Sequence, residues 1–104
     1  MIIRIEKIDI YKGVIVKALL NNSITGVFMD KRLAAKQEFK LQKLKKLLIV
    51  KRTYNNGEAI THQVKVNMYY KNHIERMRMN VCNLGKTNII LGIPWLAIHN
   101  PEIN

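Results

Sequence analysis

The sequence predicts a mainly β fold, a small and partly closed barrel with one or two short helices, the last of them at the C-terminus. Three observations predict it. Apolar residues recur with a period of two in several separate stretches, as they do in half-buried strands. An Asn-Gly pair and a Lys-Asn-His stretch sit where such strands need turns. With 104 residues, 48% of them hydrophobic, and only Gly 5 and Pro 2, the chain can fold as a single domain over residues 1–104 with a modest core.

In chain order, Ile3 and Ile5, with Ile8 and Ile10 beyond, alternate with Arg4, Glu6, Lys7 and Asp9. Tyr11-Lys12-Gly13 is read as a turn. Val14 to Leu20 is a strand that becomes apolar on both faces at Ala18-Leu19-Leu20, which predicts central burial. Asp30 is read as the cap of a short helix from Lys31 to Gln37 carrying Leu33 and Ala34. Leu41, Leu44, Leu47 and Leu48 have helix-like spacing, with strand the competing reading for Leu47 to Val50. Asn56-Gly57 favours a tight hairpin turn. Val64, Val66, Met68 and Tyr70, then Met77, Met79 and Val81, alternate strictly and are expected to form a hairpin. Ile89-Ile90-Leu91 is a short buried strand closed by Gly92, and Pro94 to Ile98 opens the terminal helix. The segments around Ala18-Leu19-Leu20 and Ile89-Ile90-Leu91 echo one another, as expected of two strands that meet in the core.

Lys+Arg 18 against Asp+Glu 7 leaves a formal charge of +11, which attracts polyanions without specificity. Nine of the basic residues lie between Lys31 and Arg52, where Glu38 is the only acid. A solvated face is the simpler account of this run. Weak nonspecific nucleic-acid contact through Lys31–Arg52 is the alternative, since no aromatic interleaving, zinc-finger spacing or helix-turn-helix pattern accompanies it. The single cysteine, Cys82, excludes an internal disulfide and is read as structural. His62, His73 and His99 match no compact metal spacing, so neither a metal nor another cofactor is expected. No apolar run approaches the length of a membrane span. With no export or anchoring signal read, an intracellular location, cytoplasm or nucleus, is expected.

The tail ILGIPWLAIHNPEIN, Ile90 to Asn104, resembles the C-terminal signature of retropepsin-like aspartic protease domains, in particular those of gypsy-type retrotransposon polyproteins. NVCNLGKTNIILG resembles the strand and loop before that signature. Ala18-Leu19-Leu20, followed by Asn21-Asn22-Ser23-Ile24-Thr25-Gly26-Val27-Phe28-Met29, resembles the family's apolar strand and catalytic loop, and Ile60-Thr61-His62 the end of its flap hairpin. The likeness implies a retropepsin-like, small acid-protease barrel working as a homodimer, each subunit lending one Asp to a shared site that cleaves peptides in polyprotein processing. By that likeness Asn21 occupies the catalytic Asp position, Asn22 that of Ser or Thr, and Ser23 that of Gly. Thr25, Gly26, Asn56 and Gly57 fall where a peptide or polyprotein segment would be held in the dimer cleft. The flap is three residues shorter than the family pattern between Val50 and Asn55.

An aspartic protease needs two carboxyls sharing a proton, one as base toward water and one as acid toward the carbonyl. A carboxamide can do neither near neutral pH, and general acid–base catalysis is worth about 10²- to 10⁴-fold. Of the two aspartates, Asp9 is expected near the first hairpin and Asp30 at a helix start. Asn21-Asn22-Ser23 also spells an N-glycosylation sequon, read as meaningless without a secretory signal. The sequence therefore predicts a retropepsin-like pseudo-enzyme with no intact catalytic residue. The alternatives are a basic dimerising module that binds nucleic acid or peptide, and a residual aspartic-type endopeptidase.

Overall fold

The computed structural model describes residues 1–8, 12–49, 59–92 and 95. Seven strands and one helix run in the order β1 (Ile2–Lys7), β2 (Gly13–Leu20), β3 (Val27–Asp30), α1 (Lys31–Lys36), β4 (Gln42–Ile49), β5 (Ala59–Tyr70), β6 (His73–Cys82) and β7 (Ile89–Leu91). Their order in the sheet is β1-β2-β7-β3-β6-β5-β4, and β1 also pairs with β5. Six strands therefore close on themselves, which removes their free edges, and β4 hangs from β5 as the exposed edge.

Alternation explains the closure. Ile3, Ile5, Val16, Ala18, Val64, Val66, Met68 and Met79 point inward and form the main core. Outward between them stand Ile2, Arg4, Ile15, Lys17, Lys65 and Arg78, all exposed. Trp95 is buried in the same core, its ring edge-on to Tyr70 at 6.0 Å. β3 and β7 are buried on both faces: Val27, Met29, Ile89 and Leu91 join the main core. Phe28 and Ile90 join a second cluster with Ile24, Ile60, Cys82 and Leu84. Two cores on opposite sides of one short sheet are why β3 and β7 read as continuous apolar runs.

The β5–β6 hairpin forms as predicted, in register from His62 opposite Val81 to Tyr70 opposite His73. β2 and β7 meet in parallel, Ala18 opposite Ile89 and Leu20 opposite Leu91, so the two echoing segments are neighbours. Asp30 caps α1 as expected, its Oδ2 accepting from the Arg32 backbone N–H, and Gln37 closes the helix.

Three expectations need correction. The segment carrying Leu44, Leu47 and Leu48 is no helix but the edge strand β4, so the competing strand reading holds from Leu47 to Ile49, and Leu41 precedes the strand. Between the pairs Lys43–His62 and Leu48–Ile60 it advances five residues while β5 advances two. That bulge breaks the period of two, so the leucine spacing imitates a helix. Leu44 packs on the second core, whereas Leu47 and Leu48 are exposed. Leu19 is not centrally buried but 44% exposed, because β2 keeps strict alternation to its end. The first strand stops at Lys7 and does not continue through Ile8. The predicted terminal helix apart from Trp95, the Asn56-Gly57 turn, and Tyr11 of the Tyr11-Lys12-Gly13 turn lie outside the described residues. No helix among the described residues is long and apolar enough to cross a membrane, a statement that leaves β-barrel spans aside.

Candidate functional site

The chain leaves β2 at Leu20 and bends at once. The Asn21 backbone N–H donates to the Leu91 carbonyl at 3.1 Å, adding one more bond to the parallel β2–β7 ladder. Asn21 then turns the chain with its own side chain, Oδ1 accepting from the Ser23 N–H at 2.8 Å. This is an Asx turn, a conformation that small amide and carboxylate side chains favour. Asn21 is half-buried, while Asn22 and Ser23 are exposed. Ile24 drops into the second core and anchors the far side of the bend.

Two glycines close the loop. Gly26 has φ +112°, a backbone conformation that strains any residue with a Cβ. Its carbonyl accepts from the Gly92 N–H at 2.8 Å. Gly92 has no room for a side chain, since a Cβ there would press into the carbonyl oxygens of both Ile24 and Gly26. The loop after β2 and the chain leaving β7 therefore cross backbone against backbone. Thr25 is exposed beside this crossing.

A polar pair that the sequence reading passed over supports the crossing from below. Asn80 on β6 is buried, accepts from Gln63 Nε2 at 2.8 Å, and has its amide nitrogen 3.5 Å from where a Gly26 Cβ would lie. No motif marks it. It sits in a strand whose alternation draws attention to Met77, Met79 and Val81 instead.

The chemistry offered at the bend is that of two amides and a hydroxyl. The described acids are Glu6, Asp30, Glu38 and Glu75, and each is placed elsewhere. Asp30 ends β3, three residues past Val27 and so about 10 Å further along the strand. Its carboxylate is fully engaged: Oδ1 accepts from the buried Leu84 N–H at 2.8 Å, and Oδ2 from Arg32 N and Nε at 3.1 Å each. Glu6 is buried on the outer side of β1, accepting from the Tyr69 hydroxyl at 2.9 Å and paired with Arg4 at 3.1 Å. Glu38 follows α1, and Glu75 lies opposite Met68 near the β5–β6 turn. Asp9, Asn56 and Gly57 lie outside the described residues.

The remaining candidates separate. His62 is hydrogen-bonded to Thr61 Oγ1 at 2.8 Å, His73 is exposed on β6, and His99 lies outside the described residues. No group of three or more His, Cys, Asp or Glu that could hold a metal occurs among the described residues. Cys82 is buried in the second core, in keeping with a structural role. The described basic residues of the 31–52 run lie on α1, where Arg32 pairs with Asp30, on the edge strand β4, and, for Lys40, on the segment between them. Lysines on an edge strand discourage pairing with another chain, which is a sufficient structural reason for Lys43, Lys45 and Lys46.

Ile60-Thr61-His62 lies on β5 within its pairing with β4, Ile60 opposite Leu48 and His62 opposite Lys43. A solved structure, the retroviral protease-like domain of Ddi1 from Leishmania major, superposes with a TM-score of 0.56 at 16% identity, covering 96% of this chain and 73% of that chain. At that identity the likeness concerns the fold. The family model of the PEG10/RTL1 protease domain matches residues 17–104, from the middle of β2 through both crossing segments. A closed β-barrel, its likeness to a retroviral protease-like domain and a family match over most of the sequence lead to one conclusion: the chain belongs to the PEG10/RTL1 protease domain family and is a protease-like domain of retroelement origin.

Proposed function

We propose that this domain has kept the backbone of an aspartic protease loop and lost its acid–base chemistry, acting as a non-cleaving module. It pairs with a second copy and holds a peptide or polyprotein segment between them. One observation carries the reading. The residue that follows β2, its N–H bonded to the Leu91 carbonyl of β7, is Asn21, an amide whose oxygen accepts from Ser23 within its own turn. Two copies would bring two amides to a shared axis, with no proton to exchange near neutral pH. Neither of the buried acids, both placed away from the bend, can substitute, since Asp30 holds α1 to the segment at Leu84 and Glu6 holds Tyr69.

Pairing draws support from the surface beside the loop. Leu19 is exposed, and it lines a groove of about 640 Å³ with Met1, Lys17, Leu20 and Lys86. Thr25 and Gly26, at the loop crossing, are the described residues proposed to face the held segment.

The test restores the triplet with Asn21→Asp, Asn22→Ser and Ser23→Gly, and compares cleavage of a peptide library by both proteins. Cleavage by the restored protein alone is the expected result. Equal cleavage by the unaltered protein, blocked by a transition-state isostere, overturns the proposal.

A further inference from the structure

We propose that the outward face of β1, β5 and β6 binds single-stranded nucleic acid through its phosphates. On this face Lys65 stands directly opposite Arg78, and Asn67 opposite Arg76. Arg76 and Arg78 are two residues apart on one strand and so share a side about 7 Å apart. Lys65, Arg76 and Arg78 are exposed, and no carboxylate among the described residues pairs with any of them. Among the described residues the one acid on the face is Glu6, which is buried and engaged by Tyr69 and Arg4.

Like charges directly opposite across a ladder destabilise a sheet. The edge-protection reason that accounts for lysines on β4 does not apply here, because β5 and β6 both lie inside the sheet order. The cations of this face thus work against the fold that carries them, and an anionic partner would relieve the repulsion. Charge complementarity extends to both sides. Lys65 also lines a groove of about 390 Å³ with Lys7 and Lys40, where Glu38 is the only acid among the described residues. In the next row, Arg4 lies 5.3 Å from the Tyr69 ring centre and is held there by Glu6.

The row Ile15, Arg4, Tyr69, Ile74 crosses four strands, and its two isoleucines are about 70% exposed. Unpaired bases can lie against such an apolar row while phosphates meet the cations. A duplex hides its bases and gains nothing from Ile15 and Ile74. That favours a single strand.

The test is fluorescence anisotropy of the 104-residue chain with a labelled oligothymidylate of roughly 15 nucleotides, over a salt series. Four phosphate contacts, from Arg4, Lys65, Arg76 and Arg78, predict a log–log slope near −3. That is a loss of roughly 50-fold between about 50 and about 200 mM salt. Replacing Lys65, Arg76 and Arg78 with Gln should weaken low-salt binding at least tenfold and reduce the slope by about 2, while the melting temperature holds or rises as the repulsion is removed. Replacing Lys43, Lys45 and Lys46 with Gln removes the same charge and should change affinity by no more than about twofold. Equal weakening by both triple variants would mean net charge alone and would overturn the proposal. So would tighter binding of a duplex of the same length, or equal competition by an oligoglutamate peptide, which would assign the face to an acidic protein.

Discussion

Asp30 offers the sharpest quantitative test of which carboxylate does what. Its side chain is 3% exposed and accepts at both oxygens, from the Leu84 N–H on one side and from Arg32 N and Nε on the other. In Asp30→Asn, either orientation of the amide turns an NH₂ toward a donor, so one acceptor site is always lost. Orphaning the buried Leu84 N–H costs about 1–3 kcal/mol. Losing the helix cap costs about 0.5–2 kcal/mol. The Arg32 side chain is 71% exposed, so its ion pair adds less than about 1 kcal/mol. Asp30→Ala, which loses both sides, should therefore destabilise by about 2–4 kcal/mol, and Asp30→Asn by about 1–3 kcal/mol. Urea unfolding at unchanged m-value is the assay, and a fall in melting temperature of about 8–30 °C should accompany the alanine variant. An Asp30→Asn protein within about 0.5 kcal/mol of the parent would refute the reasoning and free that carboxylate for another role.

Other substitutions probe the loop crossing and the outer network. Gly92→Ala forces a methyl into two carbonyls and strains the bond to Gly26, so urea unfolding should show a loss of about 2–4 kcal/mol. Tyr69→Phe removes one of the two groups holding the buried Glu6 carboxylate and should cost about 1–3 kcal/mol by the same measurement. Phe28→Ala empties the centre of the second core and should cost about 3–5 kcal/mol, whereas truncating the exposed Leu47 to Ala should cost less than about 0.5 kcal/mol. Asn21→Asp keeps an acceptor for the Ser23 N–H, so its stability at neutral pH should match the parent within about 0.5 kcal/mol, while Asn21→Ala should lose about 0.5–1.5 kcal/mol.

Where local pattern and global packing agree, the sequence was sufficient. The β5–β6 hairpin is written in a period of two, and Asp30 precedes a short amphipathic turn that it caps. The meeting of β2 and β7 was legible because both are apolar runs entering a bend. The failures have physical causes. A bulge in β4 shifts its leucines to a helical interval, and no local rule reveals how β4 pairs. Leu19 reads as buried because its neighbours do, yet its side chain follows the pleat outward. Glu6 looks like an ordinary surface acid until Tyr69, far along the chain, closes over it. The cations Arg4, Lys65, Arg76 and Arg78 come from three separate stretches, so only the closed register brings them to one face. Asn80 was hidden for the same reason, since its partners arrive from β5 and from the loop before β3.

The parallel seam between β2 and β7 also imposes an order in time. Ala18 finds Ile89 only after the intervening chain has been made and folded, and Arg4 must likewise wait for Tyr69. Loop-closure entropy of that kind slows folding, and it leaves early intermediates with an unsealed β2 whose polar bend has nothing to lean on. The bond from the Asn21 N–H to the Leu91 carbonyl closes only once β7 is in place. A nascent or truncated product lacking Ile89 to Gly92 would present β2 as an unpaired, aggregation-prone ribbon.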